Sequence, residues 1–422
     1  PLLPPRSLTQ RQASSLLCFS LCYLKVDPRA FHCIRVDDIL LDRVTAVCSN
    51  GMNLELSNKL NTAQDDYVLS LDVNCEENRF AFSTSSHSVF VGDVHTLSLV
   101  TPDAAAAHSD TVDCVQFFKS SPQQLFSASA DKSVCFWDLR DIRSPTMQLR
   151  VDDEVNCAAI GLNDSLFALG VGNDICFYDI RSQGNRLGVY SDCHTDIVTR
   201  LEFNPSRPAV LLSGGEDGLV CTYDTAVPAQ EDAVLSILNT DCAVREAGFF
   251  GNESEGVYCL STIETASFWH YPSAQRLGHF PSIRNGLGAD YLVTCWGVDS
   301  GNGDLLMLSG THTGEGKISN VNPSSVTPQG ILTATGGREG HVDTIRCARP
   351  FGGRWTMNKA GSMSRQCLFT GGEDGAVCLW TDTSSQCSTE SIEPNINIRG
   401  SGRTTEANKR QGFSRSMRYK PY

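Results

Sequence analysis

Short apolar runs of strand length recur along most of the chain, and side chains within each run alternate between apolar and polar. The stretch from His108 to Arg140 contains three such runs, with Val115 and Phe117 in the first and Val134 and Phe136 in the last. A period of two residues is typical of strands, whereas a helix repeats about every 3.6 positions. Polar turn residues separate the runs, so the pattern predicts a small antiparallel sheet.

This stretch recurs in the chain. Further copies run from His194 to Asp224 and from His341 to Asp382, and a middle copy without the leading His occupies Val151–Arg181. In each full copy the leading His is followed by a hydroxyl residue, then by Asp four positions later, then by an aromatic residue six positions after that Asp. The members are His108, Ser127, Asp131 and Trp137; His194, Ser213, Asp217 and Tyr223; and His341, Thr370, Asp374 and Trp380. The first two leading histidines are 86 positions apart, which is two periods of 43.

A period of about 40–45 residues predicts a β-propeller, in which each repeat forms one four-stranded blade. Seven such blades fit between Asp65 and Thr383. We therefore predict an all-β fold with three parts. These are an irregular N-terminal extension over 1–64, a seven-bladed propeller over 65–383, and a disordered basic tail over 384–422.

Within the extension, residues 44–57 carry a hairpin signal, because Asn50-Gly51 lies between alternating apolar positions. A closed propeller protects its strand edges, so this hairpin is expected to lend a strand that closes the ring. The alternative is that it belongs to an eighth, partial blade.

The recurring polar residues are expected to form a buried hydrogen-bond network. The Asp would accept a hydrogen bond from the imidazole, the imidazole would bond the hydroxyl, and the hydroxyl would accept from the indole N–H. A hydrolase triad uses the same residue types. The set recurs in three copies, however, and no G-x-S-x-G turn accompanies it. We therefore predict a structural role and no enzymatic activity.

Composition narrows the class of protein further. The net charge is −14, so the bulk surface should repel nucleic acid. The chain has 18 cysteines but no C-x-x-C spacing, which favours reduced thiols over disulfides or zinc and predicts a nuclear or cytoplasmic location. We expect no cofactor, no metal and no membrane association.

The dipeptides Gly340-His341 and Trp137-Asp138 complete the signature of the WD-repeat propeller, which the chain resembles over Asp65–Thr383. Within that superfamily it is most similar to the family of WD repeat-containing protein 89. Four pieces carry this resemblance: Cys193–Val220, Asp290–Ile318, Gly371–Trp380 and the basic ending RYKPY. The resemblance implies a scaffold that binds other proteins. Blades one, three, five and six depart from the pattern because each lacks the His or the Trp.

Candidate binding residues follow from the repeats. An Asp stands two positions after each leading His, at Asp110, Asp196 and Asp343. Equivalent positions of a propeller lie on one rim, so we expect these side chains to contact partner proteins. The propeller itself is expected to be monomeric.

Two alternative functions remain open from the sequence. Arg140 in the motif Trp-Asp-Leu-Arg, echoed by Arg181, resembles the docking box of substrate receptors for cullin-RING ubiquitin ligases. The competing interpretation is a solvated Asp–Arg pair at a strand end.

The tail supports the second alternative, a ribonucleoprotein or ribosome assembly factor. Residues 395–422 carry a net charge of +6, and four of their basic residues interleave with aromatic ones: Arg410, Arg415, Arg418 and Lys420. Such a composition suits RNA contact. A solubilising tail or a nuclear localisation signal would look the same.

Overall fold

A computed structural model describes residues 52–63, 66–101, 108–182, 184–298, 303–352 and 366–382. Residues 44–51 of the predicted hairpin and the whole of the predicted tail lie outside this part. The described residues form strands joined by short turns, together with a few helical turns. None of those helices is long and apolar enough to cross a membrane.

The strands follow one another with few interruptions. They are β1 (Leu54–Asn61), β2 (Val68–Val73), β3 (Arg79–Thr84), β4 (Val89–Asp93), β5 (Val112–Phe117), β6 (Gln124–Ser129), β7 (Ser133–Asp138), β8 (Met147–Arg150), β9 (Val155–Gly161), β10 (Leu166–Val171), β11 (Asp174–Asp179), β12 (Asn185–Tyr190), β13 (Val198–Phe203), β14 (Val210–Gly215), β15 (Leu219–Asp224), β16 (Val234–Asn239), β17 (Val244–Phe250), β18 (Gly256–Ser261), β19 (Ala266–His270), β20 (Gln275–Phe280), β21 (Tyr291–Gly297), β22 (Leu305–Gly310), β23 (Gly316–Asn322), β24 (Ser325–Thr333), β25 (Ile345–Phe351), β26 (Cys367–Gly372) and β27 (Ala376–Asp382). The helices are α1 (Gln230–Ala233) and α2 (Ile283–Leu287), with 3-10 turns at Ile180–Ser182 and Tyr271–Ser273.

The strands assemble into blades of antiparallel neighbours. Strands β5–β8, β9–β12, β13–β16 and β17–β20 form four-stranded sheets, and β2–β4 form a three-stranded one. An eight-stranded sheet has the order β21-β22-β23-β24-β1-β27-β26-β25. Its halves meet only through a two-residue parallel pairing of β1 with β24, so it consists of two blades. The all-β propeller prediction is confirmed, while the number of blades in the whole chain stays a prediction.

The first strand of each blade contacts the first strands of its neighbours in a closed cycle: β2, β5, β9, β13, β17, β21, β25 and back to β2. Within the described ranges none of these inner strands pairs with another, so side chains rather than a main-chain ladder join them. Ser70 Oγ accepts from Val115 N at 3.1 Å, and Tyr291 OH accepts from Ile345 N at 2.6 Å. Aromatic pairs fill the space between blades, as with Phe80 of β3 against Phe369 of β26, whose ring centroids are 4.9 Å apart.

Cysteines on the inner strands take part in the same linkage. The Cys157 thiol donates to Val198 O of the next blade at 3.3 Å, and the Cys114 thiol donates to Ala158 O at 3.7 Å. Burial raises the pKa of Cys114 to about 12, so this thiol stays protonated and available as a donor. The cysteines of the described ranges form no disulfides with one another.

Strand β1 is the fourth strand of the last blade. It runs antiparallel to β27, with Leu56 opposite Trp380, and its Leu54 and Leu56 side chains are buried. The Lys59 ammonium donates to Gly340 O at 2.7 Å and lies 3.7 Å from the Asp374 carboxylate. The N-terminal region therefore supplies a closing strand, and the predicted boundary at residue 65 falls after a strand that belongs to the propeller.

Ring closure by β1 can be tested with Leu54→Ala. The Leu54 side chain is fully buried, so its truncation should lower the free energy of unfolding by about 2–5 kcal/mol. The matched control is Ser57→Ala on the same strand, where the side chain is exposed and the expected change is within about 0.5 kcal/mol. Urea unfolding of the full chain measures both, and equal stabilities of the two variants would contradict the assignment.

Candidate functional site

The antiparallel blades give the propeller two faces. Loops that precede the inner strands, and turns between the second and third strands of a blade, lie on what we call the top face. Turns between the first and second strands, and between the third and fourth, lie on the opposite face, which we call the bottom face. Each predicted network reaches from the top face into the middle of its blade.

In the blade of β5–β8, the predicted residues are within hydrogen-bond distance of one another. His108 Nδ1 lies 3.1 Å from Asp131 Oδ2, and His108 Nε2 lies 2.8 Å from Ser127 Oγ. The Trp137 indole donates to Ser127 Oγ at 2.9 Å. Because the carboxylate can only accept, the neutral imidazole donates from Nδ1 and accepts the serine proton at Nε2. Every member is then satisfied, and the Ser109 amide adds a further bond to Asp131 at 2.9 Å.

The blade that contains β25–β27 repeats this geometry. His341 Nδ1 is 2.9 Å from Asp374 Oδ1, His341 Nε2 is 2.7 Å from Thr370 Oγ1, and Trp380 Nε1 donates to Thr370 Oγ1 at 2.7 Å. The hydroxyl and the indole are both fully buried.

The blade of β13–β16 follows the pattern with a weaker last link. His194 bridges Asp217 at 3.1 Å and Ser213 at 2.7 Å. The Ser213 hydroxyl is 3.4 Å from Tyr223 OH, because a phenol replaces the indole at this position.

Electrostatics favour the ionised carboxylates of these networks. Burial alone would raise the pKa of Asp374, but the hydrogen bonds and charge of His341, with amide donors from Val342 and Ala376, lower it to about 2. Burial lowers the pKa of His108 despite the Asp131 carboxylate, so its imidazole is neutral at physiological pH. A neutral His108 beside a charged Asp131 satisfies every hydrogen bond of that network.

The networks are arranged for stability rather than for hydrolysis. The Ser127 hydroxyl is fully buried and accepts from Trp137 while it donates to His108, so no substrate carbonyl has access to it. Each network fastens the loop before an inner strand to the turn between the second and third strands.

Two blades lack the leading His, and in them other residues form the hydrogen bonds between the loop before the inner strand and the turn on the top face. In the blade of β2–β4, Asp66 accepts from Ser86 N at 3.0 Å and from Ser86 Oγ at 2.9 Å. In the blade of β21–β24, Asp290 accepts from His312 N at 3.0 Å. In these two blades the carboxylate stands in the loop before the inner strand, and not in the turn between the second and third strands. A search for the His-Asp spacing cannot detect this arrangement. Asp66 stands two residues before its strand, as Asp110 does. This shared position could have identified Asp66 from the sequence as the carboxylate of its blade.

The three aspartates predicted to bind partners lie on the top face, directly before β5, β13 and β25. All three are exposed. Asp110 accepts from the amide of Thr111 at 2.7 Å, and Asp196 and Asp343 accept from the next amide in the same way.

A channel of about 840 Å³ lies between the inner strands. Most charges in its wall are paired: Arg200 is 3.3 Å from both Glu202 and Glu246, and Arg349 is 2.9 Å from Asp72. Within the described ranges no group of His, Cys, Asp and Glu is placed to hold a metal ion.

Asp113 in the channel wall differs from these paired groups. Desolvation, together with the carboxylates of Asp110 and Glu154, raises the pKa of Asp113 to about 6. A cation placed between these three groups would relieve their mutual repulsion.

Arg140 and Arg181 lie on the bottom face of neighbouring blades, and each has a side chain that is 75% exposed. The Arg140 guanidinium donates to Asp138 from Nε at 2.8 Å, and Arg181 is 3.5 Å from Asp179. The four basic tail residues, Arg410, Arg415, Arg418 and Lys420, lie outside the described residues, and the RNA hypothesis that rests on them stays a prediction.

Removal of one hydroxyl should disrupt a network. Thr370→Val keeps the shape of the side chain but leaves Trp380 Nε1 and His341 Nε2 without a partner. The expected cost is about 1–3 kcal/mol of unfolding free energy for each buried group. Thr195→Val, at an exposed position on the top face, is the control, and denaturant unfolding compares the two. Equal stability would show that the network contributes nothing.

The depressed pKa of Asp374 predicts a loss of stability in acid. An unfolded Asp titrates near pH 3.9, so the folded chain gains about 2 kcal/mol from this group above roughly pH 5. The gain is lost as the pH falls from about 4 to about 2. Asp374→Asn should be less stable than the parent at pH 7 and equally stable near pH 2. A difference that stays constant over this pH range, measured by urea unfolding, would contradict the assignment.

Comparison with known proteins agrees with this geometry. A model of the WD domain, G-beta repeat, matches residues 100–138 and 184–224. The WD repeat-containing protein 89 homolog of Dictyostelium discoideum is 24% identical over 328 residues, which cover 76% of this chain and 85% of that protein. The WD repeat-containing protein GTS1 of Arabidopsis thaliana is 29% identical over 332 residues, covering 75% of this chain and 81% of that protein.

Among solved structures, a chain from the crystal structure of the mitotic checkpoint complex matches with a TM-score of 0.60. The match covers 86% of this chain and 98% of that chain at 16% identity, and it shows the fold alone. The resemblance predicted from the sequence is confirmed: the chain carries WD repeats, has the fold of a β-propeller and is similar over most of its length to the WD repeat-containing protein 89 homolog.

Proposed function

We propose that this propeller is a non-enzymatic scaffold that binds basic segments of partner proteins on its top face. WD-repeat proteins generally act as interaction scaffolds, which supports the broad assignment. The choice of face and of partner chemistry rests on the charges of the top face.

The observation that carries the proposal is a set of exposed carboxylates without ion pairs. Among the described residues the carboxylates of Asp110, Asp196 and Asp343 bond only groups of the residue that follows each of them, and no Lys or Arg pairs with them. Other carboxylates of this face do have cations: Glu264 is 3.6 Å from Arg245, and Glu373 pairs with Arg346. The unpaired aspartates lie on the top face directly before three inner strands, β5, β13 and β25, and favour a positively charged ligand.

The proposal is tested by changing Asp110, Asp196 and Asp343 to Asn together. Asn keeps a side-chain acceptor for the following amide, so the loops should retain their conformation. Rim ion pairs of about 0.5–1 kcal/mol each imply that partner binding weakens by about tenfold to a hundredfold. Affinity purification of the full chain with quantitative mass spectrometry identifies the partners, and titration with the recovered partner measures the Kd.

The matched control replaces three exposed carboxylates of the bottom face, Glu76, Glu231 and Glu253, by Gln. It changes the net charge equally. Loss of the same partners from both triple variants would point to a general charge effect and would contradict binding on the top face.

The raised pKa of Asp113 predicts that the affinity for a basic partner depends on pH. Because this group is protonated below about pH 6, a basic partner should bind more weakly at pH 5.5 than at pH 7.5. Asp113→Asn should bind with the weaker affinity at both values and show little change between them. A parent affinity that does not vary over this range would show that no cation docks beside Asp113.

A second candidate function is supported by the bottom face. Arg140 and Arg181 are both 75% exposed at equivalent strand ends of neighbouring blades, as a substrate receptor of a cullin-RING ligase would require. Their own Asp partners hold them only in solvated pairs of about 1 kcal/mol or less, which an adaptor could replace.

This second candidate is tested by Arg140→Ala with Arg181→Ala in the full chain. If the chain is a receptor, co-purification of cullin-ligase adaptors should be lost. Arg143→Ala is the control, because Arg143 lies in the same loop, is 87% exposed and pairs with Asp141, but stands outside the motif. Retention of adaptors by the double variant, or their absence from the parent, would exclude this function.

A further inference from the structure

The loop between β7 and β8 on the bottom face carries a group that neither proposed function uses. Ser144 is exposed, is followed by Pro145 and stands directly after Arg143. Main-chain groups of residues 142–145 make no hydrogen bonds within the described part of the chain, so the loop can adapt to a binding cleft. We propose that Ser144 is a phosphorylation site for a proline-directed protein kinase, and that its phosphate binds Arg140 and Arg143.

The fold distinguishes Ser144 from the other Ser-Pro and Thr-Pro dipeptides of the sequence, which are Thr101-Pro102, Ser121-Pro122 and Thr327-Pro328. Ser121 is half-buried, its carbonyl accepts from Gln124 N at 3.4 Å, and Pro122 O accepts from Asn74 Nδ2 at 3.1 Å. Thr101 is 3% exposed, and its hydroxyl accepts from Val91 N at 3.1 Å. Thr327 lies inside β24, paired with Asn320 of the neighbouring strand. A kinase would have to pull Thr101 or Thr327 out of its blade, or break the hydrogen bonds that hold the turn at Ser121, whereas Ser144 needs no unfolding.

The surrounding charges are suited to a phosphate. The Arg143 guanidinium donates to Asp141 from Nε at 2.8 Å and from Nη2 at 2.9 Å, and Arg140 makes the corresponding bonds to Asp138. Both guanidinium groups are at least 75% exposed, so their carboxylate partners can be exchanged. A phosphate of charge about −1.5 to −2 competes better for a guanidinium than a single carboxylate does.

The modification step is an ordinary phosphoryl transfer. The Ser144 hydroxyl oxygen forms a bond to the γ-phosphorus of ATP, the bond from that phosphorus to the bridging oxygen of ADP breaks, and the hydroxyl proton passes to the base of the kinase. The four charges of Asp138, Arg140, Asp141 and Arg143 sum to zero, so the loop becomes negative by about two charges. Its surface changes from neutral to acidic while the propeller below is unaltered.

The first experiment incubates the folded full chain with ATP and a cyclin-dependent kinase, and separately with a mitogen-activated kinase, followed by phosphopeptide mass spectrometry. We expect phosphate on Ser144, its loss in Ser144→Ala, and its retention in Thr327→Ala. Pro145→Ala should lower the rate by about tenfold or more, because the proline ring is lost from the recognised dipeptide.

Synthetic peptides that span the four dipeptides serve as controls for kinase competence, because each is free of the fold. If the Ser144 peptide is modified by either kinase but Ser144 of the folded chain is not, the proposal is wrong. Modification of Ser121 or Thr327 equal to that of Ser144 in the folded chain would also overturn it, since the selection by the fold would be absent.

The second experiment measures the pKa of the phosphate by ³¹P NMR of the modified chain. Contact with the two guanidinium groups should lower the second pKa below its value of about 6 in the phosphopeptide. Arg140→Gln with Arg143→Gln should return it to the peptide value. A phosphate pKa that is the same in the protein, the double variant and the peptide would disprove the arginine contact.

Discussion

The structure depends on a pairing between strands from opposite ends of the propeller. Within the described residues, side chains join most neighbouring blades, and the pairing of β1 with β27 completes the last blade with a strand from the N-terminal side of the propeller. The short parallel pairing of β1 with β24 also links this blade to the one before it. Trp380 illustrates how closure and blade stability are linked: its backbone lies opposite Leu56, and its indole donates to Thr370 within the His341 network. Lys59 of the closing strand reaches the carboxylate of the same network. The entropic cost of so long a closure grows only slowly with the intervening length, and the paired strands gain protected edges.

The spacing of residues within one repeat made much of the architecture predictable. Contacts between segments that are distant in the sequence could not be predicted in this way. A network such as His108, Ser127, Asp131 and Trp137 lies within one repeat, so its geometry follows from the strand period and the turn lengths. The role of Lys59 could not be found in this way, because its partner Asp374 is more than 300 positions away and in no repeat register with it. Asp66 was missed for another reason: it performs the task of the network with the carboxylate on the opposite side, and a motif records residue types rather than the bonds they make.

The pairing of polar groups within the propeller determines which of its surfaces can bind a partner. Polar groups inside the blades are used to hold the loops, and most carboxylates in the channel wall are paired with arginines, as Glu202 and Glu246 are with Arg200. What remains on the top face are aspartates fixed by their own turns and without a cation. A loop that is already fixed loses little conformational entropy when a partner binds. Its carboxylate has no cation partner in the chain, and this favours recognition of a basic segment. The bottom face instead presents arginines that are already paired and can exchange partners.

Native-state hydrogen exchange measures the central claim, closure of the ring by β1, most directly. If β1 is the fourth strand of the last blade, amides of residues 54–61 that face β27 should exchange with the same protection as those of 376–382, through opening of the whole blade. Protection of β27 together with rapid exchange throughout β1 would contradict closure, because it would mean that the last blade is complete without the N-terminal strand.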